Sequence, residues 1–516
     1  MSITTTGLRT LEPRRESLPG AFQRWLNRPI VAIVAVGLFA GVLRFVHLSY
    51  PNERIFDEVY YSKSGCIFLG YSNQRCDVAS SDERYWRRTQ GDVGDWVHPP
   101  LAKWMIAAGE LAFGTGSFGW RVSSAVTGTL TVVALAMIVQ VLFGSALWTF
   151  VGGILLATES LDFVQSRTSM LDIFVTFWIV LAFLFLILDK RWIEGRPVQP
   201  RPGPDAAPVL PDAPAGDGAP VPDTDAPPPT PRVPSPLARP WRIGTGIALG
   251  AAVASKWSGA TAILGCVALA AIWEVQRRRE AGMPTRTAAW KTLQWEAFPI
   301  VVWLLLLPGV VYVASYVGWF VQFGFDPVKW AHLQGSMANY SENLKWIDPN
   351  TGKPIHPYLS HAWQWLLLWR PVLYYAKYGD DVRRVIYANG NPAIFWGSLI
   401  AIPWAAFAWR RQRDWRAGFV LVAIASLYLP WFVVSRPQFL FYATPITPFL
   451  VVADVYLLKA LSEAHIAGSR SRPYLPVAVG FVVVSVALFF WFWPALTGGP
   501  LSGSAWQLRA WFPSWV

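Results

Sequence analysis

The residues best suited to chemistry are one acidic pair and a scattered set of cations. Phe56-Asp57-Glu58-Val59-Tyr60-Tyr61 sets two carboxylates side by side a few positions after an apolar run. Such a pair is costly inside lipid, so it must face water or a polar cavity. Either acid could act as a general base toward a hydroxyl nucleophile; a solvated loop carboxylate is the plain alternative. The same polar stretch ends in His98-Pro99-Pro100-Leu101-Ala102-Lys103. Proline fits a first helical turn, so His98 and Lys103 read as structural anchors of a helix entry. Leu101, Trp104, Met105, Ala108 and Leu111 follow at helical spacing. That helix is too short to span and is expected to lie on the outer membrane surface.

Four cations, Arg121, Arg167, Lys256 and Arg436, fall near the non-cytoplasmic ends of apolar runs, and Asp172 follows Arg167 closely. Basic residues there run against the positive-inside trend and ask for an anionic partner. A lipid phosphate suits them, because an arginine fork matches phosphate geometry. Snorkelling toward headgroups would explain any single one.

The composition says where this chemistry must sit. Of 516 residues, 53% are hydrophobic and only 15% charged, against about 25% charged in an ordinary soluble domain. Thirty Trp suit the two edges of a bilayer. The formal charge of +12 is read as topology signal on short loops, and no nucleic-acid motif stands beside it. Three cysteines are too few for a disulfide scaffold. Cys66 and Cys76, ten positions apart in one polar loop, are expected to bridge if that loop lies outside the cytosol; two free thiols are the alternative. No metal-ligand spacing of Cys and His is present.

Apolar runs at 30–48, 118–142, 147–165, 170–188, 243–255, 258–275, 297–320, 391–409, 417–434, 443–460 and 474–494 predict about eleven spans. Run 243–255 is short and reads as a broken or re-entrant element near a site. Residues 1–29 read as a cytosolic tail, and the first span as an uncleaved anchor. Parts 30–194, 241–320 and 391–516 carry the spans. Segment 195–240 is Pro-rich, with too few large apolar residues to fold, and reads as a disordered cytosolic insert. Dense Arg clusters at 277–279 and 410–416 put those ends inside, and the carboxyl terminus outside. Two long loops, 49–117 and 321–390, then lie outside. Loops of such length are usually functional or disordered, and the Trp, Tyr and charge content of these two argues against disorder.

The chain also resembles a known family. Phe56-Asp57-Glu58-Val59-Tyr60, the His98–Lys103 turn, Arg121-Val122-Ser123-Ser124-Ala125, Ser166-Arg167-Thr168-Ser169-Met170-Leu171-Asp172, Ser255-Lys256-Trp257-Ser258-Gly259 and the loop around Arg436 look like protein O-mannosyltransferases. The motifs run in order along nearly the whole chain except the Pro-rich insert, and the hydropathy resembles the GT-C class of membrane glycosyltransferases. Loop 321–390 is too short for the β-trefoil domain of eukaryotic members, so the chain looks like a bacterial, actinobacterial-type member.

The resemblance implies an all-α polytopic GT-C fold in the cell membrane. The donor would be polyprenyl phosphate mannose, the acceptor a Ser or Thr of an exported protein, and the outcome inversion at the anomeric carbon. Inversion needs one base and a stabilised leaving group. Asp57 is assigned as base and Glu58 as the orienting acid, although the two could exchange roles. Arg121 and Arg167 would bind the leaving phosphate, with Lys256 and Arg436 in support, and Asp172 would fix Arg167. No cofactor is required, although Asp57, Glu58 and Asp172 could together hold a divalent metal. Membrane lipid is a partner by construction, the protein export channel a further one, and nucleic acid is not expected. The nearest alternative is a GT-C transferase moving another polyprenyl-linked sugar to a glycan or lipid. A transporter would call for repeated halves, which the sequence lacks.

Overall fold

The structure is a computed structural model, and it describes residues 28–78, 97–194, 237–465 and 471–515. The expected cytosolic tail, except its last two residues, lies outside the described residues. So do 195–236 of the expected insert and 79–96 of the first long loop.

Each apolar run of the sequence holds helix. In chain order the first helices are α1 (Pro29–Phe45), α2 (Glu58–Phe68), α3 (Leu101–Phe113), α4 (Ser117–Phe143), α5 (Ala146–Ala157), α6 (Ser160–Gln165), α7 (Leu171–Glu194), α8 (Pro240–Ser255) and α9 (Thr261–Glu280). Among the described residues, eight helices are long and apolar enough to cross a bilayer, including α4, α7, Leu440–Glu463 and Leu475–Thr497. Leu440–Glu463 is the innermost, with 94% of its apolar window covered by protein, whereas 22% is covered in Leu475–Thr497. The latter therefore faces lipid.

Two runs are interrupted, and both interruptions matter for the site. After α8 the chain opens into an extended residue, Lys256 (φ −162°, ψ 138°), then a short 3-10 turn, Trp257–Ala260, before α9 resumes. The expected broken element is therefore real, and its break carries a cation. Run 147–165 breaks at Thr158-Glu159, where the Glu159 carboxylate caps α6 by accepting the N–H groups of Leu161 and Asp162. This bend returns the chain toward α1. Gly128 in α4 makes room for it: a Cβ there would lie 2.0 Å from Ser166 Oγ. Small residues let membrane helices approach in this way.

Surface helix α3 carries its charge inward. Lys103 and Glu110 are buried against the protein, while Leu111 and Phe113 are exposed. An apolar outer face with charges turned inward suits a helix lying in the membrane interface.

The helical fold also carries one small sheet that the sequence reading did not anticipate. The second long loop supplies β1 (Val372–Tyr378) and β2 (Arg383–Ala388) of a small antiparallel sheet, whose third strand, β3 (Pro500–Leu501), follows the last long helix and pairs with β2. Aromatic and β-branched residues dominate β1 and β2, as a half-buried pleated surface favours. The β1–β2 register is irregular between Leu373 and Tyr375, which sets Tyr374 in a bulge. Bulges re-aim side chains beside functional sites.

Cys66 and Cys76 form a disulfide that ties the end of α2 to the following loop. Since α2 begins at the acidic pair, the bridge braces the element that presents it. Replacing both cysteines with serine should cost roughly 2–4 kcal/mol. The loss should appear as a lower thermal midpoint that reductant no longer changes, whereas the unsubstituted chain falls to it on reduction. A midpoint unaffected by either treatment would deny the brace.

Candidate active site

Asp57 is half-buried at the start of α2, and the turn before it is held under strain. Phe56 has φ +48°, a conformation that bulky residues adopt only when their surroundings enforce it. Its ring is the enforcement: it stacks on Tyr374 of β1 at 4.4 Å and meets Phe441 edge-on at 5.7 Å. The bulge in β1 thus fixes where Asp57 stands. Burial, then the negative fields of Asp172 and Asp57, push the Tyr374 phenol well above its ordinary range. Both acids therefore bear on one ring.

Glu58 has a different situation. It is fully buried, and each carboxylate oxygen accepts two hydrogen bonds. Oε1 takes Arg121 Nε at 2.8 Å and the Ser169 N–H at 3.0 Å. Oε2 takes Arg121 Nη2 at 2.8 Å and the Ile55 N–H at 3.1 Å. The remaining Arg121 bonds go to the carbonyls of Leu48, Pro51 and Glu53. All five N–H donors of that guanidinium are engaged. Arg121 therefore fastens the entry loop to α4 and offers nothing to a phosphate, which corrects its expected role.

Arg167 is also turned to backbone, through Nη1 and Nη2. It donates to the carbonyls of Leu43, Arg44, Val46 and His47, capping the C-terminal carbonyls of α1 that no helical N–H can reach. Asp172 does not fix Arg167. Instead it holds Lys256, whose Nζ lies 2.9 and 3.0 Å from its two oxygens.

The two remaining cations meet at one ring that sequence reasoning missed. Lys256 Nζ lies 4.6 Å from the centre of the Tyr442 ring, and the Arg436 guanidinium carbon 5.9 Å from it. Arg436 donates to Ser341 Oγ at 3.0 Å and to the Tyr442 hydroxyl at 3.4 Å, while its buried Nε has no partner. Among the described residues it has no carboxylate partner. His98 stands close by. Burial, then the positive fields of Lys256, Lys103 and Arg436, hold its imidazole well below the usual range. Its carbonyl accepts Lys103 Nζ at 2.8 Å, so the expected turn anchor also borders the cations.

His356, from the second long loop, was also missed. It packs edge-on to Phe56 at 6.2 Å, and its Nδ1 accepts the Tyr358 N–H. Tyr442 had a faint signal in the aromatic run six residues beyond Arg436; Ser341 and His356 had none. Among the described residues no trio of His, Cys, Asp or Glu is grouped to hold a metal.

An acid held beside a bulged strand, with a lysine and a partly unengaged arginine on the adjoining Phe441 and Tyr442 rings, is what transfer from a phosphate-linked donor needs. Residues 34–195 match the family described as dolichyl-phosphate-mannose-protein mannosyltransferase, and residues 327–515 the C-terminal four-span region of protein-O-mannosyltransferase. The polyprenol-phosphate-mannose–protein mannosyltransferase of Mycobacterium tuberculosis is 31% identical over 93% of this chain and 90% of its own length. This chain belongs to the protein O-mannosyltransferase family. The Corynebacterium glutamicum enzyme of the same name is 29% identical over 95% of this chain and 94% of its own.

Among solved structures, the Saccharomyces cerevisiae Pmt1-Pmt2 complex bound to the sugar donor matches with a TM-score of 0.70 at 15% identity. That match covers 96% of this chain and 94% of the other. ArnT from Cupriavidus metallidurans bound to undecaprenyl phosphate matches at 0.50 and 16%, over 91% and 76%. These likenesses show the GT-C fold. The mannosyltransferase is a multi-pass membrane glycosyltransferase, as the ordered motifs imply.

Proposed function

We propose that this mannosyltransferase moves mannose from polyprenyl phosphate mannose to Ser or Thr hydroxyls of exported proteins, at the non-cytoplasmic face of the cell membrane. Asp57 takes the hydroxyl proton as the oxygen attacks the anomeric carbon from the face opposite the phosphate. The bond from that carbon to the phosphate oxygen breaks, and its electron pair leaves on polyprenyl phosphate. Arg436 receives the growing negative charge, with Lys256 beside it across Tyr442. Charges fixed in advance at such a position often supply the largest part of a barrier reduction. The observation that carries this reading is Arg436 itself, a half-buried cation whose Nε is buried and unengaged, across the Tyr442 ring from Lys256.

A metal has no role in this reading. Both oxygens of Glu58 are held by Arg121 and those of Asp172 by Lys256, which supports a reading in which these acids pair with cations of the chain. The basic residues Arg279 and Arg413 line one cavity at the end of the bundle away from Asp57, which supports a cytosolic assignment for that end and an outer one for the active site. Acceptor segments reach that site most easily while still unfolded, so docking beside the export channel is part of the proposal.

The test is transfer of labelled mannose from mannosyl-phosphoryl-polyprenol to a Ser/Thr-rich peptide by purified protein, with chelator present throughout. Label should reach the peptide, and Arg436→Gln should raise the donor KM about tenfold to a hundredfold while leaving the peptide KM alone. That range corresponds to the roughly 1.5–3 kcal/mol of a hydrogen bond to a charged group. Label reaching only lipid or glycan acceptors would overturn the acceptor assignment.

A further inference from the structure

A second charged centre lies at the far end of the same helices. Helix α7 carries Asp172 in its first turn and Asp189 near its last; at about 1.5 Å per residue they stand roughly 26 Å apart. Helix α8 runs back, with Arg239 at its N-cap, Arg242 in its first turn and Lys256 just past its end. At this far end Arg239 forks onto Asp189 and reaches Glu274, while Arg242 reaches Glu296 and Asp189. These groups are nearly inaccessible and mutually satisfied. Asp189, Arg239, Arg242 and Glu274 line a cavity of about 600 Å³.

The rim is not satisfied. Arg277 uses Nε and Nη2 on Glu274, and its Nη1 is buried with no partner. Arg279 and Arg413 line the same cavity and are exposed, with no ion-pair or hydrogen-bond partner for either guanidinium among the described residues. Arg413 also sits in the left-handed region at φ +55°, a conformation that costs energy outside glycine and often marks function. Two exposed carboxylates, Glu280 and Glu194, share the cavity with these three arginines, and Glu194 is already held by Lys190 and Arg191. Leu186, Ile193 and Met283 give the cavity an apolar side.

We propose that this cavity binds a phosphate group, gripped by Arg279 and Arg413 with Arg277 Nη1 behind them. The shared chemistry is a phosphate monoanion, supplied either by an anionic phospholipid headgroup or by free phosphate; the apolar side favours the lipid. The site is a membrane's thickness from Asp57 and does not depend on the reaction assigned there.

The test titrates detergent-purified full-length protein with phosphatidylglycerol, and with phosphatidylcholine as control, reading bound lipid by native mass spectrometry. Phosphatidylglycerol should bind more tightly. The preference should fall about fivefold for each arginine removed and about thirtyfold in Arg279→Gln/Arg413→Gln, the effect of a basic residue near an anionic surface. Arg413→Gly guards against a folding failure, because glycine suits φ +55°; it should keep the thermal midpoint and lose the fivefold. Inorganic phosphate in millimolar excess should leave bound lipid in place if the source is the headgroup with its tails, and displace it if the phosphate alone is recognised. Equal affinity for the two lipids, or no change in either arginine variant, overturns the proposal.

Discussion

Asp57→Asn should fold as the unsubstituted chain does and transfer mannose about 10²–10⁴-fold more slowly, the range a positioned general base contributes. Three features separate this from a structural effect. Asn is near-isosteric with Asp. The Asp57 side chain makes no capping bond to α2, although the residue holds the N-cap position. The turn itself is held by the Phe56 ring on Tyr374 and by Glu58 on Arg121, none of which the substitution touches. The thermal midpoint should therefore barely move, and the donor KM should stay close to its original value. The pH profile adds a second readout, because removing the base should abolish the acid limb of kcat against pH. Full activity in Asp57→Asn would sink the base assignment. Retained activity there with a folded but inactive Glu58→Gln would exchange the two roles.

Much of this arrangement was legible in the sequence, and the reasons for the rest are specific. The apolar runs fall on helices because the bilayer sets a length that composition must meet. The break after Ser255 was visible as a short run. Cys66 and Cys76 could be paired because they share one loop. The β1–β2 hairpin was missed inside a long polar loop, although Val372-Leu373-Tyr374-Tyr375 and Arg384-Val385-Ile386-Tyr387 have strand composition. The roles of the cations were the deeper failure. A sequence shows which residues are charged, not which of their donors are already engaged. Arg121 meets Glu58 across 63 positions, Lys256 meets Asp172 across 84, and Arg436 meets Ser341 across 95. The sequence placed four cations near one membrane face, and the fold divides them into two that fasten the backbone and two that face the site.

That division is testable at Arg121, where a large effect on stability is expected. Arg121→Ala leaves the Glu58 carboxylate buried without its counter-charge and removes the donors held by the carbonyls of Leu48, Pro51 and Glu53. Breaking a buried ion pair from one side costs about 3–5 kcal/mol, a large share of the roughly 5–15 kcal/mol that holds a typical fold. The variant should therefore show a sharply lowered thermal midpoint in detergent and poor recovery on purification. Arg121→Lys should rescue little, because an ammonium cannot fork across both Glu58 oxygens while reaching three carbonyls. Arg436→Gln is the counterpart: its guanidinium has no carboxylate to abandon, so the midpoint should hold while donor affinity falls. If Arg121→Ala melted normally and weakened only the donor, the guanidinium would have to leave Glu58 to bind phosphate, and the site would open during the reaction. Melting curves and donor KM measured on the same two variants decide between a fastened loop and one that moves.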